Sequence, residues 1–217
     1  MQDDDLANPG TLWVQEGEAL WRKLEGPAGK SCASCHQDAA ATMKGVAARY
    51  PAFDPRVSRV INLEQRINLC RVERQQAPPF AYESQELLAL TTFVAHQSRG
   101  MPIQVVIDGP SLPFFEAGRT LFFTRQGQLN LACKQCHEDH WDQQLRGAPI
   151  SQGHGNAYPA YRLEWQAIGS LQRRLRNCNI GVRAEPYPYG AQEYVNLELY
   201  LAWRAQGLPI ETPGVRR

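Results

Sequence analysis

The 217-residue sequence has no long apolar run, no strong excess of either charge and few methionines. No apolar run approaches the ~18 residues that suggest a membrane-spanning helix, so we expect no such helix. The 23 basic and 22 acidic residues give a net charge of +1, which argues against nucleic acid as a partner. Methionine occurs only at Met1, Met43 and Met101, so methionine sulfur is a scarce ligand in this chain.

The cysteines, in contrast, form a chemically specific pattern. Four of the six lie in two Cys-x-x-Cys-His pentads, Cys32–His36 and Cys133–His137. At this spacing both thiols can form thioethers with one haem, and the histidine that follows supplies an axial nitrogen to its iron. The sequence therefore predicts two covalently bound haem c groups. The predicted attachment residues are Cys32, Cys35, Cys133 and Cys136, and the predicted axial histidines are His36 and His137.

The longer pattern around each pentad is also repeated, which indicates a tandem duplication. The second pentad follows the first at an offset of 101 residues, the next matches lie at an offset of 108, and the last, such as Gly100 with Gly207, lie at 107. The matching segments are Gly17–Trp21 with Gly118–Phe122, Tyr50–Pro51 with Tyr158–Pro159, and Cys70 with Cys178. We predict two cytochrome c-like domains, 1–108 and 109–217, which meet at a turn-rich linker.

Each unit is predicted to be mostly α, with helices over 10–24, 57–72 and 84–98 in the first unit and over 115–126, 161–178 and 191–206 in the second. Ser84 is a predicted N-cap, and Gly100 and Gly207 are predicted helix terminators. The second unit has seven additional residues between its pentad and Tyr158, within 138–157. A longer polar loop beside only one haem suggests that the two sites have different roles.

The ligand opposite each axial histidine is less certain from the residues alone. Cys70 and Cys178 repeat between the units whereas no methionine does, so our leading interpretation is cysteine sulfur on both irons. A Cys70–Cys178 disulfide, two buried thiols, or histidine ligation by His96 and by His140 or His154 are the alternatives. Thiolate ligation lowers the haem potential, which favours electron transfer or chemistry on the sulfur over a dihaem peroxidase with an open iron.

An arginine lies one helical turn before each of these cysteines. Arg174 precedes Cys178 by four residues, and no acidic residue occurs from 165 to 184. A guanidinium there favours the thiolate and offers donors to an oxyanion, so Arg174 and Cys178 are the candidate catalytic pair. Arg66 has the same position before Cys70, which leaves pairing with a haem propionate as an alternative. Further arginines in this basic segment are Arg173, Arg176 and Arg183.

The sequence around Cys178 resembles the dihaem form of the SoxA family, the cytochrome subunits of the thiosulfate-oxidising Sox system. The resemblance covers nearly the whole chain, including both pentads, Cys178–Pro186 (CNIGVRAEP) and Leu197–Arg204 (LELYLAWR). It implies axial ligation by His36 and Cys70 at the first haem, and by His137 and a persulfide of Cys178 at the second. It also implies that Arg174 is the active-site arginine, and that the first haem is dispensable in some relatives.

The resemblance further implies an enzymatic function, that of an L-cysteine S-thiosulfotransferase. Thiosulfate would be joined to a cysteine of the SoxYZ carrier protein, with two electrons passed to cytochrome acceptors, and the chain would pair with the monohaem cytochrome SoxX. The alternative is a dihaem electron carrier without substrate chemistry. Covalent haem attachment takes place outside the cytoplasm, so we expect a periplasmic protein. Because no secretory h-region opens the sequence, we expect a mature form.

Overall fold

The computed structural model describes residues 1–145 and 147–217. Helices account for 43% of the residues and strands for 12%, which confirms the predicted mostly α fold. Within the described ranges, no helix combines the length and the apolar character needed to cross a bilayer.

The first unit consists of helices around a short antiparallel hairpin. Its elements are α1 (Thr11–Arg22), α2 (Ala33–His36), α3 (Ala39–Thr42), β1 (Ala52–Asp54), β2 (Arg59–Ile61), α4 (Leu63–Cys70) and α5 (Gln85–His96). Strand β1 pairs with β2, and a π-helical turn, Arg71–Gln75, follows α4.

The second unit repeats this order with additional strands. Its elements are α6 (Leu112–Phe123), α7 (Cys133–His137), β3 (Gln144–Leu145), β4 (Ala148–Pro149), β5 (Ala160–Arg162), β6 (Ala167–Gly169), α8 (Leu171–Gly181), α9 (Gln192–Arg204) and β7 (Gly214–Arg216). The pair β3–β4 lies in the inserted stretch. Strand β5 pairs antiparallel with β6, as β1 does with β2, and also pairs parallel with β7.

In each unit the first and last long helices cross at a glycine. Gly17 on α1 packs against the backbone of Ala89 on α5, and Gly118 on α6 packs against the backbone of Asn196 on α9. A Cβ atom at either glycine would overlap the opposing carbonyl oxygen. The repeated glycine therefore permits the close helix crossing on which both units are built.

The predicted helices 57–72 and 161–178 are wrong in their N-terminal parts, because hairpin residues occupy those positions. Helix α4 begins only after Asn62, whose side chain accepts from the backbone N–H of Gln65 at 3.0 Å. Helix α8 begins after Ser170, whose Oγ accepts from the N–H of Arg173 at 3.1 Å. These N-caps stabilise the later helix starts.

The predicted end signals of the other helices are confirmed. Ser84 caps α5 by accepting from the N–H of Leu87. Gly100 and Gly207 both have positive φ angles, of 78° and 85°, a backbone conformation that glycine adopts without steric cost.

The segments that follow α5 and α9 join the two units. Gly100 N–H donates to the carbonyl of Ile210 at 2.8 Å, and Ile103 N–H donates to the carbonyl of Leu208 at 3.0 Å. Reciprocal bonds run from Gly207 to Ile103 and from Ile210 to Met101. One apolar cluster also combines Val60 and Ile103 with residues of α6 and α9. The two units therefore pack as one body, while the predicted boundary at 108 stays a prediction.

A pair of buried carboxyl groups lies at this junction. Glu64 on α4 and Glu198 on α9 are 9% and 7% exposed. Asn62 Nδ2 donates to Glu198 Oε2 at 3.1 Å, and the Tyr82 hydroxyl donates to Asn62 Oδ1 at 3.0 Å. Burial raises the pKa of both carboxyl groups.

Candidate functional site

The first pentad lies on α2, against the core of its unit. Cys32 packs on the apolar cluster that contains Trp21, Leu63 and Ile67. The Trp21 ring also contacts His36, with ring centroids 5.7 Å apart. Burial, followed by the nearby Cys70, raises the pKa of Cys32 to about 11.

Cys70 is the last residue of α4 and lies beside this pentad. Burial raises the pKa of its thiol, and Cys35 contributes in the same direction. The fold therefore brings Cys32, Cys35 and Cys70 together, although they are separated by up to 38 residues in the sequence.

The second pentad is arranged in the same way on α7. Cys133 packs on the apolar cluster that contains Phe122, and Leu171 and Leu175 pack against the same cluster. Burial, followed by the nearby Cys178, raises the pKa of Cys133 to about 12. A strongly raised thiol pKa means that the buried sulfur stays uncharged, as a thioether also is.

Cys178 lies on α8, one helical turn after Arg174. Burial raises the pKa of Cys136, and Cys178 adds to the shift. Burial is the main cause that lowers the pKa of His137, and its hydrogen bond to Ser151 acts in the opposite direction. Arg174 is among the cations that lower this pKa further. Arg174, Cys178 and the second pentad therefore lie in one neighbourhood.

These residues fit a covalently attached haem in each unit. In each unit two cysteines and a histidine lie on or beside one short helix, the first cysteine packs on apolar side chains, and a third sulfur lies nearby. All six cysteines are described, and all are free, so the structure gives no support to the Cys70–Cys178 disulfide.

The histidine alternatives differ in their positions. His96 Nδ1 lies 3.3 Å from the carbonyl oxygen of Thr212, and His140 Nδ1 lies 2.6 Å from that of Gln135. The His96 ring thus contacts backbone away from both pentads, whereas the His140 ring contacts the backbone of the second pentad itself. Burial is the main cause that lowers the pKa of His154, and His137 is among the groups that lower it further. His154 therefore lies near the second site.

The arginines before Cys70 and Cys178 have different partners. Arg66 Nη1 lies 3.1 Å from Asp54 Oδ2, which forms an ion pair on the hairpin of the first unit. The position equivalent to Asp54 on β5 is Arg162, which pairs instead with Glu164 at 2.7 Å. Within residues 1–145 and 147–217, the Arg174 guanidinium forms no ion pair or hydrogen bond. Of the two arginines that precede the repeated cysteines, only Arg174 therefore has no carboxylate partner in the part of the chain that the structure describes.

Two other arginines of this basic segment are engaged elsewhere. Arg173 lies 3.7 Å from Glu83 and stacks over the Trp165 ring. Arg176 donates to the carbonyl of Tyr187. Of these three arginines on α8, Arg174 is thus the one whose guanidinium has no protein partner among the described residues.

Sequence reasoning missed two features of the second site. One is the exchange of Asp54 for Arg162, which the 108-residue offset would have revealed. The other is a backbone acceptor, because His137 Nδ1 lies 2.7 Å from the carbonyl oxygen of Ser151 in the inserted stretch. The insertion was visible in the sequence, but its contact with His137 was not.

The fold and the paired pentads define a protein of the cytochrome c class. A family model described as SoxA/TsdA, cytochrome c domain, matches residues 16–103 and 117–210. The chain belongs to this family, which confirms the resemblance seen in the sequence and implies haem c binding.

Individual relatives agree with this assignment. The chain is 44% identical over 215 residues to the L-cysteine S-thiosulfotransferase subunit SoxA of Pseudaminobacter salicylatoxidans, covering 99% of this chain and 75% of that protein. It is 40% identical over 216 residues to the SoxA subunit of Rhodovulum sulfidophilum, covering 100% and 75%. The crystal structure of SoxXA from P. pantotrophus matches with a TM-score of 0.96 at 36% identity, covering 100% of this chain and 81% of that chain.

Proposed function

We propose that this chain is the catalytic cytochrome of a thiosulfate-oxidising system, an L-cysteine S-thiosulfotransferase. It carries two haem c groups, bound covalently through Cys32 and Cys35 and through Cys133 and Cys136. The residues that would hold the two haem irons are His36 with Cys70 and His137 with Cys178. The names of relatives that are 40–44% identical over the whole chain support this assignment.

The observation that carries the proposal is the pairing of Cys178 with Arg174. Thiosulfate is a small dianion with a terminal sulfur, so its binding site requires a cation beside a sulfur centre. Arg174 supplies a charge with no counter-ion among the described residues, one turn from Cys178. A guanidinium binds oxyanions through several parallel donors. We therefore assign thiosulfate binding to Arg174 and the sulfur chemistry to Cys178.

The proposed reaction is an oxidative coupling of two sulfur atoms. A bond forms between the terminal sulfur of thiosulfate and the cysteine sulfur of the SoxYZ carrier protein, and the carrier cysteine loses its proton. Two electrons leave the pair of sulfur atoms and pass to cytochrome acceptors. The haem, when bound, supplies the one-electron redox centre that receives them.

The chain's own residues hold the reactants in this scheme. Arg174 orients the sulfonate group and offsets its charge, so that the terminal sulfur faces Cys178. We infer that Cys178 carries an additional sulfur atom, as the family resemblance implies.

We further propose a heterodimer with a SoxX cytochrome, in line with the SoxXA complex from which the structural neighbour comes. The periplasm is the proposed compartment, because thioether attachment of haem takes place outside the cytoplasm. The cysteine of the SoxYZ carrier, in its thiol form, belongs to a separate protein and would have to approach Cys178.

The proposal is tested by following thiosulfate-dependent reduction of cytochrome c with the holoprotein, its SoxX partner and SoxYZ, together with the mass of the carrier. Activity requires that the carrier gain the mass of one thiosulfate group. Intact-protein mass of the chain itself should show one sulfur atom beyond two haems, and its loss on reduction would locate a persulfide. Cytochrome reduction without modification of the carrier would favour the dihaem electron carrier instead.

A further inference from the structure

The inserted stretch of the second unit contacts the axial histidine directly. His137 Nδ1 donates to the carbonyl oxygen of Ser151 at 2.7 Å, which leaves Nε2 as the nitrogen available to iron. Gly153 lies against the same ring, because a Cβ there would be 3.1 Å from His137 Cγ, and its φ angle is 78°. In the described part of the first unit, no hydrogen bond reaches the ring of His36, which contacts Trp21 instead.

Arg204 at the end of α9 holds this stretch in place. Its Nη1 donates to the carbonyl of Gln152 at 3.1 Å, and its Nη2 lies 3.5 Å from Glu138 Oε1. The guanidinium also stacks over the Phe122 ring, and its side chain is only 13% exposed. The side chain of Gln97, the equivalent residue in the first unit, donates to the carbonyl of Phe93 on the preceding helix at 3.0 Å and makes no other hydrogen bond among the described residues.

We propose that Arg204 and the segment Ser151–Gly153 form a positioning element that fixes the His137 imidazole and lowers the reduction potential of the second haem. A histidine that donates its outer N–H to a carbonyl is a more basic ligand. A more basic ligand stabilises Fe(III) over Fe(II), which lowers the potential. The insertion thus makes the two haems electronically different. This inference rests on the proposed haem attachment at the second pentad, and not on the coupling of thiosulfate.

Two variants test the element without removing charge from the site. Arg204→Lys keeps the positive charge but loses the two-pronged contact with Gln152 and Glu138. Gly153→Ala crowds the His137 ring. The control is Gly147→Ala, in the same loop, where φ is also positive at 75° but a Cβ would meet no atom within 4 Å. The measurement is a redox titration of each holoprotein without substrate, with each haem followed by its own low-spin resonance signal.

We expect the potential of the second haem to rise in both variants, while the first haem and the Gly147→Ala protein stay unchanged. A tenfold change in the oxidation equilibrium corresponds to about 59 mV for a one-electron couple, and we expect a shift of this order. If Arg204→Lys fails to retain haem, Gly153→Ala decides the question alone. An unchanged or lower potential in the variants that retain both haems, or an equal rise in Gly147→Ala, would overturn the inference. Because no thiosulfate is present, that result would leave the proposed reaction untouched.

Discussion

The two units share a pentad, a glycine helix crossing and an arginine one turn before a cysteine, yet the surroundings of that arginine differ. In the first unit Asp54 on β1 forms an ion pair with Arg66 at 3.1 Å, and it also pairs with Arg56 at 2.5 Å. In the second unit Arg162 takes the place of Asp54, and Arg174 has no counter-ion among the described residues. The exchange of an aspartate for an arginine on the repeated hairpin is therefore the difference between the units. In the first unit Arg66 forms a structural ion pair, and in the second Arg174 is available to an anionic ligand.

The axial histidines differ in a parallel way. His36 packs against Trp21, whereas His137 donates to the carbonyl of Ser151. The differences lie in the hairpin and the insertion, while the helices that frame the sites are alike. A duplicated fold can thus keep its scaffold while its two sites diverge.

The largest effect is expected for Cys178→Met compared with Cys70→Met. Methionine keeps a sulfur ligand but cannot form a thiolate or carry an additional sulfur. Loss of the reacting nucleophile lowers turnover by about 10⁶-fold in a well-characterised hydrolase, so we expect Cys178→Met to lose all measurable turnover. Thiosulfate-dependent cytochrome reduction and the spectrum of each haem are the measurements.

The matched variant Cys70→Met should alter the spectrum of the other haem and retain most of the activity. Equal activity losses in the two variants would mean that the two cysteines have equivalent roles. Wild-type turnover by Cys178→Met would remove this sulfur from the mechanism.

The next effect is expected for Arg174→Ala compared with Arg66→Ala. A hydrogen bond to a charged group contributes about 1.5–3 kcal/mol, so we expect kcat/KM for thiosulfate to fall about 10- to 100-fold in Arg174→Ala. Both haems should stay attached. Arg66→Ala breaks only a partly exposed ion pair with Asp54 and should change kcat/KM little. Unchanged kinetics in Arg174→Ala would return this arginine to a structural role.

A smaller effect is expected for Arg162→Asp, which copies the first unit's hairpin into the second. The new carboxylate should pair with Arg174 as Asp54 pairs with Arg66, and should lower kcat/KM for thiosulfate by about tenfold. Arg162→Gln is the control, because it also loses the contact with Glu164 but supplies no acid. If the two variants have equal kinetics, neutralisation of Arg174 is not the reason for the difference between the units.

Sequence reasoning recovers the features that depend on local pattern. The helix end signals at Ser84, Gly100 and Gly207 are confirmed, because caps and left-handed turns are set by one or two residues. The hairpins are not predicted, because residues 57–62 fit a helical pattern, whereas in the structure α4 begins only after the Asn62 cap. Contacts of a long loop, such as that of Ser151 with His137, depend on backbone paths that no residue pattern specifies.

The smallest effect is expected on stability, at the junction between the two units, where Glu198 of the second unit and Glu64 of the first are buried. Burial raises the pKa of Glu64 to about 7 and that of Glu198 to about 8, from an ordinary value of 4.5. The folded protein therefore binds these protons more tightly than the unfolded chain does. Their contribution to stability is fully present below about pH 4.5 and is lost as the pH rises through 7 to 8.

We expect the Glu198→Gln protein to lose less stability than the wild type as the pH rises, because glutamine keeps an acceptor for Asn62 but cannot ionise. Its Tm relative to wild type should increase from pH 6 to pH 9, and a change of about 1 kcal/mol corresponds to roughly 2–4 °C for a chain of this size. Thermal unfolding of the holoprotein, followed by circular dichroism, measures the difference. The exposed Glu86→Gln is the control and should show no such trend. A constant difference between Glu198→Gln and wild type over this range would mean that the junction binds no proton on folding.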